Sequence, residues 1–188
     1  MSEKVKVLGF AGALRKGSYN VAALHAAKEL APADVELELF ERIGEFPLYN
    51  EDLKAQGFPA PVEEFRYKIR AADALLIVTP EYNYSMSGVL KNAIDWASRP
   101  PDQPFNDKPV AVMGASPGLF GTARAQYHLR QSLVFLNAHL VNKPEVMIGS
   151  AQQKFDAAGK LTDDPTKDFI RQLLAALADW TRRLRKPA

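Results

Sequence analysis

ALLIVTPEYNYSMSGVLKNAIDWASRP, residues 74–100, is the stretch whose reading decides the fold. It opens on the apolar run Ala74–Thr79, the composition of a central strand of a parallel sheet that helices cover on both faces. Residues 80–88, PEYNYSMSG, break that run with proline, asparagine, serine and glycine, so the chain turns there. Ser87 then caps a helix that runs to Ser98 and is stopped by Pro100. Strand, loop and helix in immediate succession are the unit from which crossover-connected parallel sheets are built.

The same unit repeats outward in both directions. Val110–Ala115 (VAVMGA) is a second continuous apolar run, and Val5–Phe10 opens the chain with another. Val35–Phe40 alternates Val, Leu and Leu with Glu36 and Glu38, which predicts an edge strand with one wet face. Val146–Ile148 is a weaker fifth strand. Ser18 caps a helix to Leu30 ahead of Pro32, and Thr122–Asn137 and Pro165–Arg185 are also helical. In the last, Asp164 takes the cap, and Phe169, Leu173, Leu177, Trp180 and Leu184 form the stripe to be buried. Arg182, Arg183, Arg185 and Lys186 read as a solvated helix end complementing the dipole. Residues 41–61 carry Gly44, Pro47, Gly57, Pro59 and Pro61, and read as an irregular excursion, either a lid or a short helix. With right-handed crossovers the expected architecture is an α/β doubly wound parallel sheet of five strands, order 2-1-3-4-5, with helices on both faces and a single domain over residues 1–188.

Composition narrows the function. The chain has 188 residues, 47% of them hydrophobic and 24% charged, as an ordinary globular domain has. A net charge of +2 is too small for the cationic surface that nucleic-acid binding needs. Without cysteine there are no disulfides, thiolate nucleophiles, Cys-ligated zinc or iron–sulfur clusters. The N-terminal apolar run is too short for a secretory signal and no stretch is long enough to span a membrane, so a cytoplasmic location is expected. His25, His128 and His139 are scattered, with no metal-ligand spacing, and no metal is expected.

In such a sheet a ligand lies beyond the carboxyl ends of the first and third strands, where strand order reverses. Three loops meet that position: Ala11–Asn20, Pro80–Gly88 and Ser116–Thr122. The first, GALRKGSYN, ends at a helix N-terminus, which favours a phosphate, and Arg15, Ser18 and Asn20 add donors. Gly12 and Gly17 have the spacing of a Walker loop, but Ser18 stands where its lysine belongs; the G-x-G-x-x-G fingerprint is also missing. The second loop, with Tyr82, Asn83 and Tyr84, suits the polar rim and flat face of a heteroaromatic ring. The third, SPGLFGT, has glycines that let backbone approach a ligand.

GALRKGSYN, then PEYNYSMSGVLKNAIDWASR at 80–99, then ASPGLFGTARAQYHLRQSL at 115–133, resemble the flavodoxin-like NADPH-dependent FMN reductase family, in its quinone and chromate reductase branch. The resemblance runs from Val5 to about Gly149. It implies that Arg15, Ser18 and Asn20 hold the FMN phosphate, that Pro80, Glu81, Tyr82 and Asn83 run along the flavin ring, and that Ser116 and Gly118 approach from the far side. The family usually has Ser where Ala13 stands and Pro where Ser87 stands. On this reading FMN is bound, NADPH or NADH donates a hydride, and a small-molecule acceptor (a quinone, a flavin, an azo compound or chromate) takes two electrons in a ping-pong cycle. No side chain need be catalytic, because the flavin carries the chemistry. Two other readings compete. A flavodoxin-type electron carrier serving protein partners is usually acidic, unlike this chain. A Rossmann dehydrogenase with Glu41 on a ribose lacks its glycine fingerprint.

The helix 87–98 has a wide apolar arc of Val89, Leu90, Ala93, Ile94, Trp96 and Ala97. A homodimer or homotetramer is the expected way to cover its second side, with residues 41–61 as the alternative cover.

Overall fold

The computed structural model describes residues 4–185. Strands β1 (Val5–Ala11), β2 (Val35–Leu39), β3 (Ala74–Val78), β4 (Pro109–Ala115), β5 (His139–Leu140) and β6 (Val146–Ile148) form one sheet. Its order is β2-β1-β3-β4-β5, with β6 also on β4, and every pairing is parallel. The expected fifth strand, Val146–Ile148, is present as β6, and a two-residue strand, β5, joins the same side of β4 ahead of it. The two pair with opposite ends of β4, Pro109 with His139 and Met113 with Val146.

Side chains alternate between the two faces with the strand period. Ala74, Leu76 and Val78 join Ala111 and Met113 in a core against α1 (Tyr19–Glu29) and α6 (Asp164–Leu184). Leu75 and Ile77 join Val110 and Val112 on the other side, against α3 (Ala60–Ala71), α4 (Gly88–Ala97) and α5 (Ala123–Phe135). Burial on both faces is why these strands are apolar throughout.

Two expectations about α6 are corrected. Its N-cap is Asp163, one residue earlier than expected, because that carboxylate accepts from both the Thr166 N–H and hydroxyl. The buried stripe runs through Ile170, Leu173, Leu174, Leu177 and Thr181, while Phe169 is 50% exposed. At the other end Arg182 pairs with Asp34 and Arg185 with Asp73, tying the helix to the entries of β2 and β3. Lys186 lies outside the described residues.

Residues 41–61 contain a 3-10 turn at Ile43–Glu45 and a short helix α2 (Glu51–Lys54). This segment supplies the second cover for α4. The indole N–H of Trp96 donates to Pro47 O at 2.8 Å, and Tyr49 meets the indole edge-on at 5.0 Å. Asn92 accepts from the Tyr49 N–H at 2.7 Å and donates to Pro47 O at 3.0 Å. Trp96 is fully buried within one chain, so this side of α4 needs no second copy to cover it, while Val89 of the same arc stays half-buried. Beneath the same segment Arg66 is buried, donating to the carbonyls of Ala97, Arg99 and Pro101 with Phe58 stacked on its guanidinium at 4.0 Å.

Candidate active site

Loops leave the carboxyl ends of β1, β3 and β4, three neighbouring strands, and so meet at one edge of the sheet. The first loop starts under constraint. A Cβ at Gly12 would lie 2.7 Å from Leu90 Cβ and 2.9 Å from Ser87 Oγ, so only glycine passes so close to α4. Ser87 ties the two loops together: its hydroxyl donates to Gly12 O at 2.6 Å and accepts the Leu90 N–H at 3.3 Å as the α4 cap. Ser87 thus has a structural task.

The chain then turns through Gly17 (φ +67°) into Ser18, whose Oγ accepts the Asn20 N–H at 3.2 Å and caps α1. Asn20 is buried and clamps β4, donating to Ala115 O at 2.9 Å and accepting the Ala115 N–H at 2.8 Å. That leaves one amide hydrogen of Asn20 for a ligand. Arg15 is exposed, its guanidinium touching Lys16 O at 3.3 Å. Among the described residues, the main-chain N–H groups of Ala13, Leu14, Arg15, Lys16, Gly17 and Tyr19 have no protein acceptor. A cavity of about 830 Å³ opens here, walled by this loop, the outer side of α1 and residues 156–161. It takes in Arg15 and Ser18 but does not reach Pro80 or Ser116.

After β3, Tyr82 and Ser85 exchange two main-chain hydrogen bonds, at 2.9 and 3.0 Å, around Asn83 and Tyr84. Both central residues have positive φ, 49° and 67°, the requirement of a type I′ turn. Asn tolerates that conformation, whereas Tyr84 stands where glycine is preferred, at a cost of roughly 1–2 kcal/mol. The turn leaves the N–H groups of Glu81, Asn83 and Tyr84 without a protein acceptor among the described residues.

The Glu81 side chain is only 8% exposed, and its carboxylate caps α5. It accepts from Arg124 Nε at 2.6 Å and from the N–H groups of Arg124 and Ala125 at 3.0 and 3.1 Å. The Arg124 guanidinium lies 3.9 Å over the Tyr84 ring and 5.6 Å from that of Phe120. Sequence reasoning missed Arg124, because nothing local links it to Glu81 or Tyr84 on a distant loop.

The third loop is fastened from behind. Ser116 N–H donates to Ile148 O at 2.9 Å, while Ser116 and Gly118 carbonyls accept from Ala151 and Ser150 at 3.1 and 3.2 Å. Its glycines have different tasks. A Cβ at Gly121 would lie 2.8 Å from the Met147 carbonyl carbon, so that glycine serves packing. At Gly118 the new Cβ would meet nothing closer than Ser116 Oγ at 3.5 Å, leaving room for a ligand.

The remaining sequence candidates are engaged elsewhere. Glu41 pairs with His25 at 2.8 Å, His139 faces Asp107 at 3.1 Å, and His128 Nδ1 lies 3.2 Å from Ser85 Oγ. No helix among the described residues is long and apolar enough to cross a membrane.

These donors fit FMN. Unpaired amides at a helix N-terminus beside a guanidinium match a phosphate dianion, and a second group of unpaired amides matches the polar edge of a flavin. Comparison with known proteins agrees. The model of the family described as NADPH-dependent FMN reductase matches residues 5–153. The chain is 65% identical to an NAD(P)H-dependent FMN reductase of Pseudomonas aeruginosa, over 98% of this chain and 100% of that one. It is 48% identical to a quinone reductase of Escherichia coli, over 98% of this chain and 100% of the other. Among solved structures it resembles FerB, a flavoenzyme NAD(P)H:(acceptor) oxidoreductase from Paracoccus denitrificans, at TM-score 0.86 and 38% identity, covering 95% of this chain and 98% of FerB. An archaeal flavodoxin matches at TM-score 0.63 and 12% identity, a likeness of fold alone. The chain belongs to the NADPH-dependent FMN reductase family, enzymes that use an FMN cofactor and take electrons from NAD(P)H.

Proposed function

We propose that Arg15, Ser18, Asn20 and the unpaired amides of the first loop hold the FMN phosphate, that Pro80, Glu81, Tyr82 and Asn83 follow the ring edge, and that Ser116 and Gly118 flank its far side. The observation that carries this reading is the set of main-chain N–H groups at residues 13–17, 19, 81, 83 and 84 that no protein atom among the described residues satisfies. FMN, when bound, supplies two-electron redox chemistry. Arg15 gives a charge-assisted bond to a phosphate oxygen, and the Glu81, Asn83 and Tyr84 amides stabilise negative charge that develops along the ring edge. Asn20 and Ser87 hold the loops in register, one through Ala115 and the other through Gly12.

NAD(P)H and a small oxidised acceptor then occupy the same open face in turn. Quinones are the acceptors that the relatives' names favour; free flavins, azo compounds and chromate share the requirement for two electrons at an exposed ring. A shared face predicts parallel double-reciprocal lines, the ping-pong pattern. Intersecting lines across several acceptors would refute the shared face.

The seat is tested through Arg15. Removing its charge-assisted bond in Arg15→Ala costs roughly 1.5–3 kcal/mol of binding, so FMN is lost during purification and its dissociation constant rises more than tenfold. Unchanged flavin content, read from absorbance after denaturation, would overturn the assignment.

A further inference from the structure

We infer that Arg124 is a positioning residue, which with Glu81 holds the strained 82–85 turn so that its unpaired amides set the reduction potential of the flavin. The inference rests on the flavin seat proposed above. Two consecutive non-glycine residues with positive φ form that turn, and Tyr84 occupies the position that most favours glycine. Something outside the turn must therefore keep Tyr84 in place. Arg124 is the side chain that does so: its guanidinium covers the Tyr84 ring at 3.9 Å and is itself fixed by Glu81 through Nε at 2.6 Å.

The lock closes on itself. Glu81 stands immediately before the turn, and its carboxylate also accepts the N–H groups of Arg124 and Ala125, so the start of α5 is pinned to the residue that begins the turn. Phe120, its ring centroid 5.6 Å from the same guanidinium, brings the third loop beside it. One arginine thus links two of the three loops of the seat.

The functional consequence follows from which charge state the amides favour. N–H donors aimed at a ring edge bind the reduced, anionic flavin better than the oxidised one. Releasing the turn weakens reduced FMN more than oxidised FMN, and the potential falls. Arg124 also carries a positive charge, which would act in the same direction without any turn, so the experiment must separate the two.

Spectroscopic reductive titration of the flavin-loaded protein against a reference dye makes the separation. Arg124→Ala is expected to weaken reduced FMN about tenfold relative to oxidised FMN, a fall of about 30 mV for a two-electron couple. Arg124→Lys keeps the charge but loses the planar stack and the fork, and is expected to follow Arg124→Ala. In a Tyr84→Gly background, where the turn needs no outside support, Arg124→Ala is expected to shift the ratio less than threefold. A variant that loses FMN is read instead through its dissociation constant, with the same rescue by Tyr84→Gly expected. An unchanged potential in Arg124→Ala, a Lys variant that matches wild type, or an equal shift in the Tyr84→Gly background would each overturn the inference. Failure of the seat itself looks different: the unmodified protein would not bind FMN, or Arg15→Ala would retain it.

Discussion

Glycines at this sheet edge look alike in sequence and do opposite things. At Gly114 an added Cβ would lie 2.1 Å from Thr122 Oγ1 and 2.2 Å from Thr79 O, so β4 can approach β3 and α5 only without a side chain. Gly118 has no such neighbour. Gly114→Ala is accordingly expected to destabilise by about 3 kcal/mol or more, since overpacking against backbone has no cheap relaxation. Gly118→Ala should leave urea denaturation of the flavin-free protein unchanged within ~0.5 kcal/mol, as surface substitutions usually do, yet weaken FMN binding. Equal stability of the two variants would refute the division. The same contrast explains what could be read at this scale. Ser18 as a helix cap was legible from its place before a helical pattern. The clamp of Asn20 on Ala115 and the bond of Ser87 to Gly12 join residues far apart in the chain, and no local pattern carries them.

Helices were legible because capping, period and stop signals are local, and errors arose where two neighbours compete for one task. Asp163 and Asp164 both precede Pro165, and the cap goes to the one whose carboxylate reaches Thr166. Bonds from the Thr166 hydroxyl and N–H hold the Asp163 carboxyl below its ordinary value of 3.8. A depressed carboxylate pKa stabilises the fold above the unfolded value and loses that contribution as pH falls through the folded one. Asp163→Ala should therefore cost about 1 kcal/mol at pH 7, and the gap to wild type should narrow as pH falls below about 4. Denaturation curves at several pH values check this, and a gap that is constant or widens toward low pH would contradict it. The short α2 was only one of two readings of residues 41–61, and β5 was not legible. A four-residue helix and a two-residue strand are too short to show a period.

At the scale of the whole molecule, residues 41–61 cover the Trp96 side of α4 within one chain. Leu14, Tyr84, Leu119 and Phe120 stand on the site loops with their side chains exposed. We propose that a homodimer or homotetramer forms over this rim, which puts the candidate active sites next to the contact. Light scattering at micromolar concentration is then expected to report at least twice 20.8 kDa, with Phe120→Asp lowering the mass and Trp96→Asp unfolding the chain. A flavin-loaded monomer at that concentration would sink the proposal. Sequence alone determined the parallel sheet, its strand order and the three loops at its edge, because burial on both faces imposes continuous apolar runs and right-handed crossovers leave few topologies. Which residues spend their hydrogen bonds on the fold and which keep them for a ligand was decided only in three dimensions. Glu81, Arg124 and Tyr84 acquire their tasks from contacts across loops, and local sequence carries no record of the partner that packing brings beside a residue.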